Sequence, residues 1–423
     1  MAVRRVSDLP CSGCGVLHPT LAPSDCPLAR RAAEEMRAPV VALQATPTAT
    51  EQRPSQPQRT VALADAARGA VETASAAVQA EVEAVAEVVE ASDDEYTVRR
   101  QEAWLRVIAA LPWGPTQEKG APATTAAARR VLDRTHGGHD GVKRILTDRV
   151  ASMSHIERRR GDHRMRPLLL VGPPGTGKTT LASAMATALG MPCEVINVPV
   201  AAVDECYLAG ADRVWAGSEP GAIIRAVRRA GTARLLLVLD ELDKVAVGHW
   251  QGASPTAWLL ELLGSASWSD RYLGVPYPTA AMSFVATAND LAPIPAPLLD
   301  RCEVVEVPGL SAEQRVEVAL SHVWPRLLAA YGVAAASVPL PPDGVNALVT
   351  GYAAPEEAGL RSVETRMEAV IQRAIAQGAP RQRVWITPEF VAERLGTKPR
   401  GRRAAGFARE LPASAVGAAT GPS

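Results

Sequence analysis

Short unbroken apolar runs, each ending in polar or glycine residues, recur along the middle of the chain. Leu168–Val171 ends at a glycine-rich segment, residues 235–239 end at two acids, and residues 284–288 end at Asn289. Runs of roughly four to eight apolar residues with such boundaries are typical of strands buried in a parallel sheet. The pattern therefore predicts an α/β fold with polar side chains at the carboxyl ends of its strands.

Nearer the N-terminus, the spacing of apolar residues changes to that of a helix. The stripe consists of Val71, Val78, Val82, Val85 and Val89. This spacing predicts a helix with one apolar face between about residues 61 and 90. Two interpretations remain open: a solvated helix or disordered arm, or a helix that binds a partner. Residues 38 to about 60, rich in Pro, Thr and Gln, are predicted to be a flexible linker.

A phosphate-binding loop follows the first apolar run. Its residues are Gly172, Pro173, Pro174, Gly175, Thr176, Gly177, Lys178, Thr179 and Thr180. Glycines at this spacing let backbone N–H groups converge on phosphate oxygens without interference from Cβ atoms. Lys178 is predicted to reach the β- and γ-phosphates, and the Thr179 hydroxyl to ligate Mg²⁺. The segment predicts a nucleoside triphosphatase.

The second apolar run ends in Asp240 and Glu241. Asp240 is predicted to hold Mg²⁺ through water, together with Thr179, and Glu241 to act as the general base on the attacking water. The presence of both acids favours hydrolysis over binding alone. The alternative interpretation is that the two acids cap the next helix.

Composition narrows the class of protein. The 423 residues have a formal net charge of zero and only 4% aromatic residues, and their number leaves room for two or three domains. No apolar run reaches about 18 residues, which argues against a membrane protein, and the neutral charge argues against a nucleic-acid partner. Because the first residues lack an apolar segment, we expect no secretory signal and a cytoplasmic protein.

The first 37 residues contain a candidate zinc site. Cys11, Cys14, His18 and Cys26 have the spacing Cys-x₂-Cys-x₃-His-x₇-Cys, and Zn²⁺ bound by four such ligands would stabilise a segment too short for its own core. Only one Cys-x₂-Cys pair is present, so free thiols of a cytoplasmic protein remain the alternative.

Collinear motifs between about residues 100 and 395 resemble the ATPase module of Lon proteases. They lie at residues 104–114, 136–146, 221–224, 240–244, 284–289 and 294–301. The resemblance implies a P-loop AAA+ ATPase, in which an α/β parallel-sheet domain is followed by a small all-helical lid. The expected parts are the cysteine segment (1–37), a linker and helix (38–95), lead-in helices (96–139), the nucleotide-binding domain (140–308), the lid (309–395) and a disordered tail (396–423).

The resemblance also assigns roles to polar residues. Asn289 matches the sensor that orients the hydrolytic water beside Glu241, and Arg361 matches a second sensor on the lid. Arg301 matches the arginine finger that a neighbouring subunit directs at the γ-phosphate, a contribution of about 10³-fold or more; an ordinary surface arginine is the alternative. A finger supplied in trans implies a homo-oligomeric ring, a hexamer as in the family, with ATP and Mg²⁺ bound between subunits.

Between the two nucleotide motifs, residues 212–221 resemble the loop that Lon rings project into their axial pore. Trp215, followed by Ala216 and Gly217, would form a bulky, mobile group that grips a polypeptide independently of its sequence. A core tryptophan is the alternative for Trp215. A second pore loop is expected near residues 249–252, where exposed aromatic residues could equally belong to an interface.

Departures from the family shape the functional prediction. Because the chain reaches Ser423 soon after the lid, we expect no Ser–Lys peptidase domain and no intrinsic peptidase activity. Gly137 stands where the family commonly has an aromatic residue beside the adenine pocket.

The predicted function is ATP-driven unfolding, threading or remodelling of protein substrates. Alternatives are an ATPase subunit that feeds a separately encoded peptidase, a DNA-associated ATPase or regulator, and a non-enzymatic ATP-gated scaffold. The neutral charge counts against the DNA-associated protein, and the set of Glu241, Asn289 and Arg301 counts against the scaffold.

Overall fold

Seven short strands occur in the part of the chain that this computed structural model describes, which is residues 56–114, 124–159, 164–201, 205–247, 255–353, 358–379 and 381–396. The strands are β1 (Leu168–Val171), β2 (Cys193–Asn197), β3 (Leu236–Asp240), β4 (Ser267–Ser269), β5 (Pro276–Pro278), β6 (Ser283–Ala288) and β7 (Glu303–Glu306). Five of them form one parallel sheet in the order β2-β3-β6-β1-β7, whereas β4 and β5 form an antiparallel pair.

Helices surround this sheet and form the C-terminal region. They are α1 (Gln56–Ala70), α2 (Ala76–Ala91), α3 (Glu95–Ala109), α4 (Thr125–Thr135), α5 (Asp140–Arg159), α6 (Lys178–Leu189), α7 (Val198–Ala201), α8 (Glu205–Ala209), α9 (Ala222–Ala230), α10 (Pro255–Gly264), α11 (Ala296–Leu299), α12 (Ala312–Val318), α13 (Trp324–Tyr331), α14 (Pro342–Asn346), α15 (Arg361–Ala376) and α16 (Pro388–Leu395). A 3₁₀ helix, Leu242–Val247, follows β3, and π-helical turns at Ala319–Val323 and Ala347–Gly351 continue α12 and α14.

The sheet register brings the polar strand ends together. Leu239 of β3 lies opposite Ala286 of β6, so Asp240 lies beside Thr287 at the same edge of the sheet. Leu169 on β1 and Leu237 on β3 are fully buried, because helices cover both faces. The predicted α/β parallel sheet is therefore confirmed, and its carboxyl edge is where the site lies.

A close backbone contact fixes the start of the phosphate loop. A Cβ atom on Gly172 would lie 1.9 Å from the Val307 carbonyl oxygen, just beyond β7. Gly172 also donates its backbone N–H to the Ala288 carbonyl oxygen at 3.2 Å. Only glycine fits here, since any side chain would push β1 and β7 apart.

The valine stripe near the N-terminus lies in the core, which differs from the expectation of a solvated helix or disordered arm. Val78, Val82, Val85 and Val89 of α2 are buried in the same hydrophobic core as Trp104 on α3 and the sheet residue Leu237. The physical reason is that the partner of the apolar face is the remainder of this chain. The helical region is also broken at residues 71–75, and α1 begins at Gln56, inside the predicted linker.

The C-terminal helices form a separate core. Val323, Leu348, Met367, Ile371 and Val391 pack with one another in this cluster. The predicted small all-helical lid is thus confirmed, and it follows the sheet directly after β7.

Some predictions fall on residues outside the described ranges. The zinc hypothesis for Cys11, Cys14, His18 and Cys26, the second pore loop near 249–252 and the tail from Thr397 are among them. Within the described ranges, His, Cys, Asp and Glu side chains form no group of three or more that could hold a metal ion. The helices in those ranges also include none with the length and apolar character needed to cross a membrane.

The buried valines lead to a stability prediction. Val82 is 1% exposed, whereas Val88 on the same helix is 43% exposed. We expect Val82→Ala to lower the free energy of unfolding by about 1–2 kcal/mol, because it removes buried methyl groups and leaves a cavity. Val88→Ala should change it by less than about 0.5 kcal/mol. Denaturant titration of both variants measures this, and equal effects would show that α2 is not part of the core.

Candidate nucleotide-binding site

A cavity of about 690 Å³ opens at the carboxyl edge of the sheet, between the strand ends and the lid. The predicted site residues that line it are Pro174, Gly175, Thr176, Gly177, Lys178, Thr179, Thr180, Asp240, Glu241, Asn289 and Arg361. The structure therefore brings together residues that are far apart in the sequence. Arg301, Trp215, Ala216 and Gly217 lie elsewhere.

The phosphate loop has the conformation that its glycines permit. Gly175 and Gly177 have φ values of +77° and +88°, in the left-handed region that favours glycine. Gly177 is directly followed by Lys178, the first residue of α6. The N–H groups at the start of this 12-residue helix lie at the cavity wall, where they and the helix dipole favour an anion.

Lys178 is a buried cation whose hydrogen-bond acceptors are uncharged. Its Nζ donates to the carbonyl oxygens of Gly172 (2.7 Å) and Pro173 (2.9 Å) and to Oδ1 of Asn289 (2.9 Å). Burial lowers the pKa of Lys178, and the nearby acids Asp243 and Asp240 oppose that change. A cation held only by neutral acceptors fits a negatively charged ligand such as a phosphate chain.

One carboxylate oxygen organises the metal-binding side of the cavity. Oδ1 of Asp240 accepts hydrogen bonds from the hydroxyls of Thr179 (2.7 Å) and Thr287 (2.6 Å). Thr179 and Asp240 thus offer adjacent oxygen atoms, the donor type that Mg²⁺ prefers. The residues predicted to hold Mg²⁺ therefore fit that ion.

Thr287 is a site residue that sequence reasoning missed. Besides its bond to Asp240, its Oγ1 accepts a hydrogen bond from the backbone N–H of Glu241 at 3.1 Å. The available signal was a single hydroxyl residue within the otherwise apolar run 284–288. Its importance depends on the register between β3 and β6, which the sequence pattern alone does not give.

Glu241 has an unusual backbone conformation. Its φ is +60°, which is uncommon for a residue other than glycine and is found disproportionately at functional sites. Oδ1 of Asp240 accepts from the hydroxyls of Thr179 and Thr287, which favours the metal-binding interpretation of Asp240 over a cap of the following 3₁₀ helix. Glu241 lines the cavity.

The lid meets the phosphate loop through a close backbone contact. Leu360 donates its N–H to the Gly175 carbonyl oxygen at 2.9 Å, and a Cβ on Gly359 would lie 2.3 Å from the Pro174 carbonyl oxygen. Arg361 starts α15 immediately beyond this contact and lines the cavity. A movement of α15 would thus displace both Arg361 and the phosphate loop.

A histidine-rich wall forms another side of the cavity. Nε2 of His136 lies 2.7 Å from Thr180 Oγ1, and Nδ1 lies 2.8 Å from Thr135 Oγ1. Lys143 is buried beneath it and donates to the His136 carbonyl oxygen at 2.7 Å. His136 begins the Lon-like motif at residues 136–146, but its contact with the phosphate loop was not predicted.

The position of Gly137 has a tertiary explanation. A Cβ there would lie 2.5 Å from Val318 Cγ2 and 3.2 Å from His322 Cδ2, both on the lid side of the cavity. The space that an aromatic side chain would need is therefore occupied by residues of the lid. This accounts for glycine at a position where the resembling family commonly has an aromatic residue.

The chain is similar in sequence to known proteins. The family described as "ATPase family associated with various cellular activities (AAA)" matches residues 168–309. Similar proteins include Lon protease 1 of Syntrophotalea carbinolica, 36% identical over 73% of this chain and 37% of that protein. Lon protease of Paraburkholderia phytofirmans is 36% identical over 70% of this chain and 36% of that protein. Peroxisomal Lon protease homolog 2 of Arabidopsis thaliana is 34% identical over 73% of this chain and 34% of that protein.

The chain contains a Lon-like AAA+ module. It spans about a third of the length of the curated relatives that it matches. The similarity therefore concerns the ATPase part of those proteins. The family match covers the phosphate loop and the strand ends of the cavity, whereas His136 and Arg361, which also line it, lie outside residues 168–309.

Arg301 lies outside the cavity of its own Lon-like module. Its guanidinium donates to the Leu260 carbonyl oxygen in the middle of α10. It does not line the cavity that holds Lys178 and Glu241. Its role as a finger for a neighbouring subunit stays a prediction.

Trp215 occupies the tip of an exposed loop. Its side chain is 69% exposed, so the core alternative is wrong. Trp215 donates its N–H to the Asp212 carbonyl oxygen at 3.1 Å, and Gly217 has a φ of +77°. The loop thus makes a tight turn with the tryptophan in solvent, and the gripping role of Trp215 stays a prediction.

The buried His136 gives a pH prediction. Burial, together with the charges of Lys143, His139 and His322, lowers the pKa of His136 from 6.5 to about 4. The folded state therefore disfavours the protonated ring. The associated stability is present above pH 6.5 and is lost as the pH falls from 6.5 towards 4, by about 2 kcal/mol at pH 5.

The free energies of unfolding at pH 7.5 and pH 5 test this expectation. Between pH 7.5 and pH 5, the free energy of unfolding of His136→Gln should fall by about 2 kcal/mol less than that of the native protein. The exposed His155 on the neighbouring helix α5 provides the control, because His155→Gln should keep the native pH dependence. An identical pH dependence in His136→Gln and the native protein would contradict the burial argument.

Proposed function

We propose that this chain is a Mg²⁺-dependent ATPase that assembles into a ring and unfolds, threads or remodels protein substrates. The observation that carries the proposal is the convergence of Lys178, Thr179, Asp240, Glu241 and Asn289 on one cavity. Such a set has the donors, the cation and the carboxylates that phosphoryl transfer to water requires. No peptidase activity is assigned to the chain.

In the proposed reaction, the phosphate loop and Lys178 hold the triphosphate. Lys178 exchanges the carbonyl oxygens of Gly172 and Pro173 for phosphate oxygens and keeps its bond to Asn289 Oδ1, and the N–H groups at the start of α6 donate to the same phosphate chain. Thr179 and Asp240 would hold Mg²⁺, which supplies charge neutralisation at the β- and γ-phosphates when bound. These interactions orient the terminal phosphate at the strand ends.

Glu241 and Asn289 act on the attacking water. The Glu241 carboxylate accepts a proton from that water as the new P–O bond forms and the bond between the γ-phosphorus and the β–γ bridging oxygen breaks, which releases ADP and phosphate. The Oδ1 atom of Asn289 is engaged by Lys178, so its amide nitrogen is the group that donates to the water. Thr287 holds the backbone of Glu241 and thereby the direction of its side chain.

The ring and substrate parts of the proposal depend on Arg301 and Trp215. Arg301 lies outside the cavity of its own chain, which supports its use by a neighbouring subunit, in a hexamer as in the resembling family. The exposed Trp215 supports contact with an unfolded polypeptide by apolar interaction. The relatives are named Lon proteases, and the proposal adopts the handling of polypeptides but not their cleavage.

The assignment of Glu241 predicts a separation of binding from turnover. Glu241→Gln should retain ATP binding and lose at least about 10²-fold in kcat, because the amide cannot accept the proton. Lys178→Ala should weaken ATP binding itself. Calorimetric titration with ATP and steady-state phosphate release measure the two quantities, and normal turnover by Glu241→Gln would show that another group is the base.

The assignment of Trp215 predicts stimulation by an unfolded protein. Casein should increase steady-state ATP hydrolysis of the native chain, and Trp215→Ala should abolish the increase while leaving the basal rate unchanged. Trp385→Ala is the matched control, since Trp385 is a lid tryptophan that is 55% exposed. Stimulation that persists in Trp215→Ala, or its absence in the native chain, would contradict a polypeptide translocase.

A further inference from the structure

The two ends of the loop that carries Trp215 are fixed by contacts within its own domain. Ala211 donates its N–H to the Glu219 carbonyl oxygen at 3.1 Å, which closes the base of the loop. The buried carboxylate of Asp270 accepts from the Gly221 N–H at 2.8 Å, and Arg271 donates its N–H to the Ala209 carbonyl oxygen at 2.7 Å. These contacts fix the two ends of the loop but do not involve Trp215 at its tip.

A separate contact holds the segment of the loop that precedes Trp215. Nη2 of Arg213 donates to Oε1 of Glu81 on α2 at 2.7 Å. The Arg213 guanidinium also lies over the indole ring of Trp104 on α3, 4.7 Å from the ring centroid. Arg213 thereby links the loop to two helices of the N-terminal region that precedes the AAA match.

The two side chains that contact Arg213, those of Trp104 and Glu81, are themselves rigidly held. Trp104 is buried and donates its Nε1–H to the Leu273 carbonyl oxygen at 3.0 Å. Glu81 lies on the helix whose valines are buried in the main core. A Cβ on Gly274 would come within 3.0 Å of Arg213 Nη2, so the guanidinium fills a confined space between α3 and the segment around Gly274.

The tip of the loop lacks such support. Val214 and Trp215 are both largely exposed, so packing of their side chains does not set the direction of the loop. That direction must be set by the segments on either side of the tip, and Arg213 is two residues before Trp215. Holding a gripping group in its working orientation lowers the ordering cost of contact with a ligand.

We infer that Glu81 is a positioning residue for the Trp215 loop and acts through Arg213 and its contact with Trp104. The N-terminal helices α2 and α3 then support the loop in addition to connecting the segments of the chain on either side of them. The inference rests on the proposed role of Trp215, but the contact itself is testable without that role.

Amide hydrogen exchange tests the contact independently of ATP hydrolysis. In Glu81→Ala, the Trp215 and Ser218 amides should exchange about five-fold faster than in the native protein, as expected for loss of a partly exposed ion pair. Glu87→Ala, at an exposed position of the same helix, is the matched control and should leave exchange unchanged. Unchanged exchange in Glu81→Ala would overturn the inference whatever the protein does with ATP.

A double-mutant comparison separates positioning from general destabilisation. Arg213→Ala should increase exchange at the loop as Glu81→Ala does, and the double variant should be no worse than Arg213→Ala alone, because the two residues act through one contact. Arg213→Lys, which keeps a cation over Trp104, should lie between the native protein and Arg213→Ala. Additive effects of the two alanine variants would contradict a shared contact.

Stimulated turnover provides the functional measurement. In Glu81→Ala, the casein concentration for half-maximal stimulation should rise about five-fold, while the unstimulated kcat stays at the native value. A merely structural role of Glu81 would lower the unfolding temperature and the unstimulated kcat without changing this concentration, and that result would overturn the inference. If Trp215→Ala retains stimulation, the proposed function fails, whereas the exchange experiment still decides whether Glu81 positions the loop.

Discussion

The hydrogen bonds to one oxygen of Asp240 hold the nucleotide site together. Thr179 lies in the first turn of α6, Asp240 ends β3, and Thr287 belongs to β6, so one carboxylate joins three elements that are distant in the sequence. The junction exists because parallel strands in register end at the same edge of the sheet. Lys178 adds a fourth connection through Asn289, just beyond β6.

Close backbone packing extends this junction to the lid. Gly172 lies against Val307 and Gly359 lies against Pro174, at distances that exclude a side chain. The phosphate loop is therefore confined between the end of the sheet and the start of α15. Any change in the position of the lid must reach the loop that holds the phosphates, and Arg361 lies at that point. We propose that this confinement would couple the position of the lid to the nucleotide state.

The sequence predicted the features that depend on local spacing. The buried runs became β1, β3 and β6, and the glycine loop, Asp240, Glu241 and Asn289 met at one cavity because each follows a strand. Features that depend on which surfaces meet were not predictable. The partner of the valine stripe, the contact of His136 with Thr180, and the filling of the space beside Gly137 by Val318 all require the tertiary arrangement. Thr287 is an intermediate case, since the sequence showed its polarity but not its contact with Asp240.

The most direct test of a site shared between subunits is phosphate release by co-assembled variants. Glu241→Gln and Arg301→Ala subunits, each unable to turn over alone, should be mixed before ring assembly. A ring in which Arg301 acts on the neighbouring cavity contains some interfaces with both an intact Glu241 and an intact Arg301. The account predicts turnover well above that of either variant alone. A mixture no more active than its separate components, with ATP binding retained in both, would contradict it.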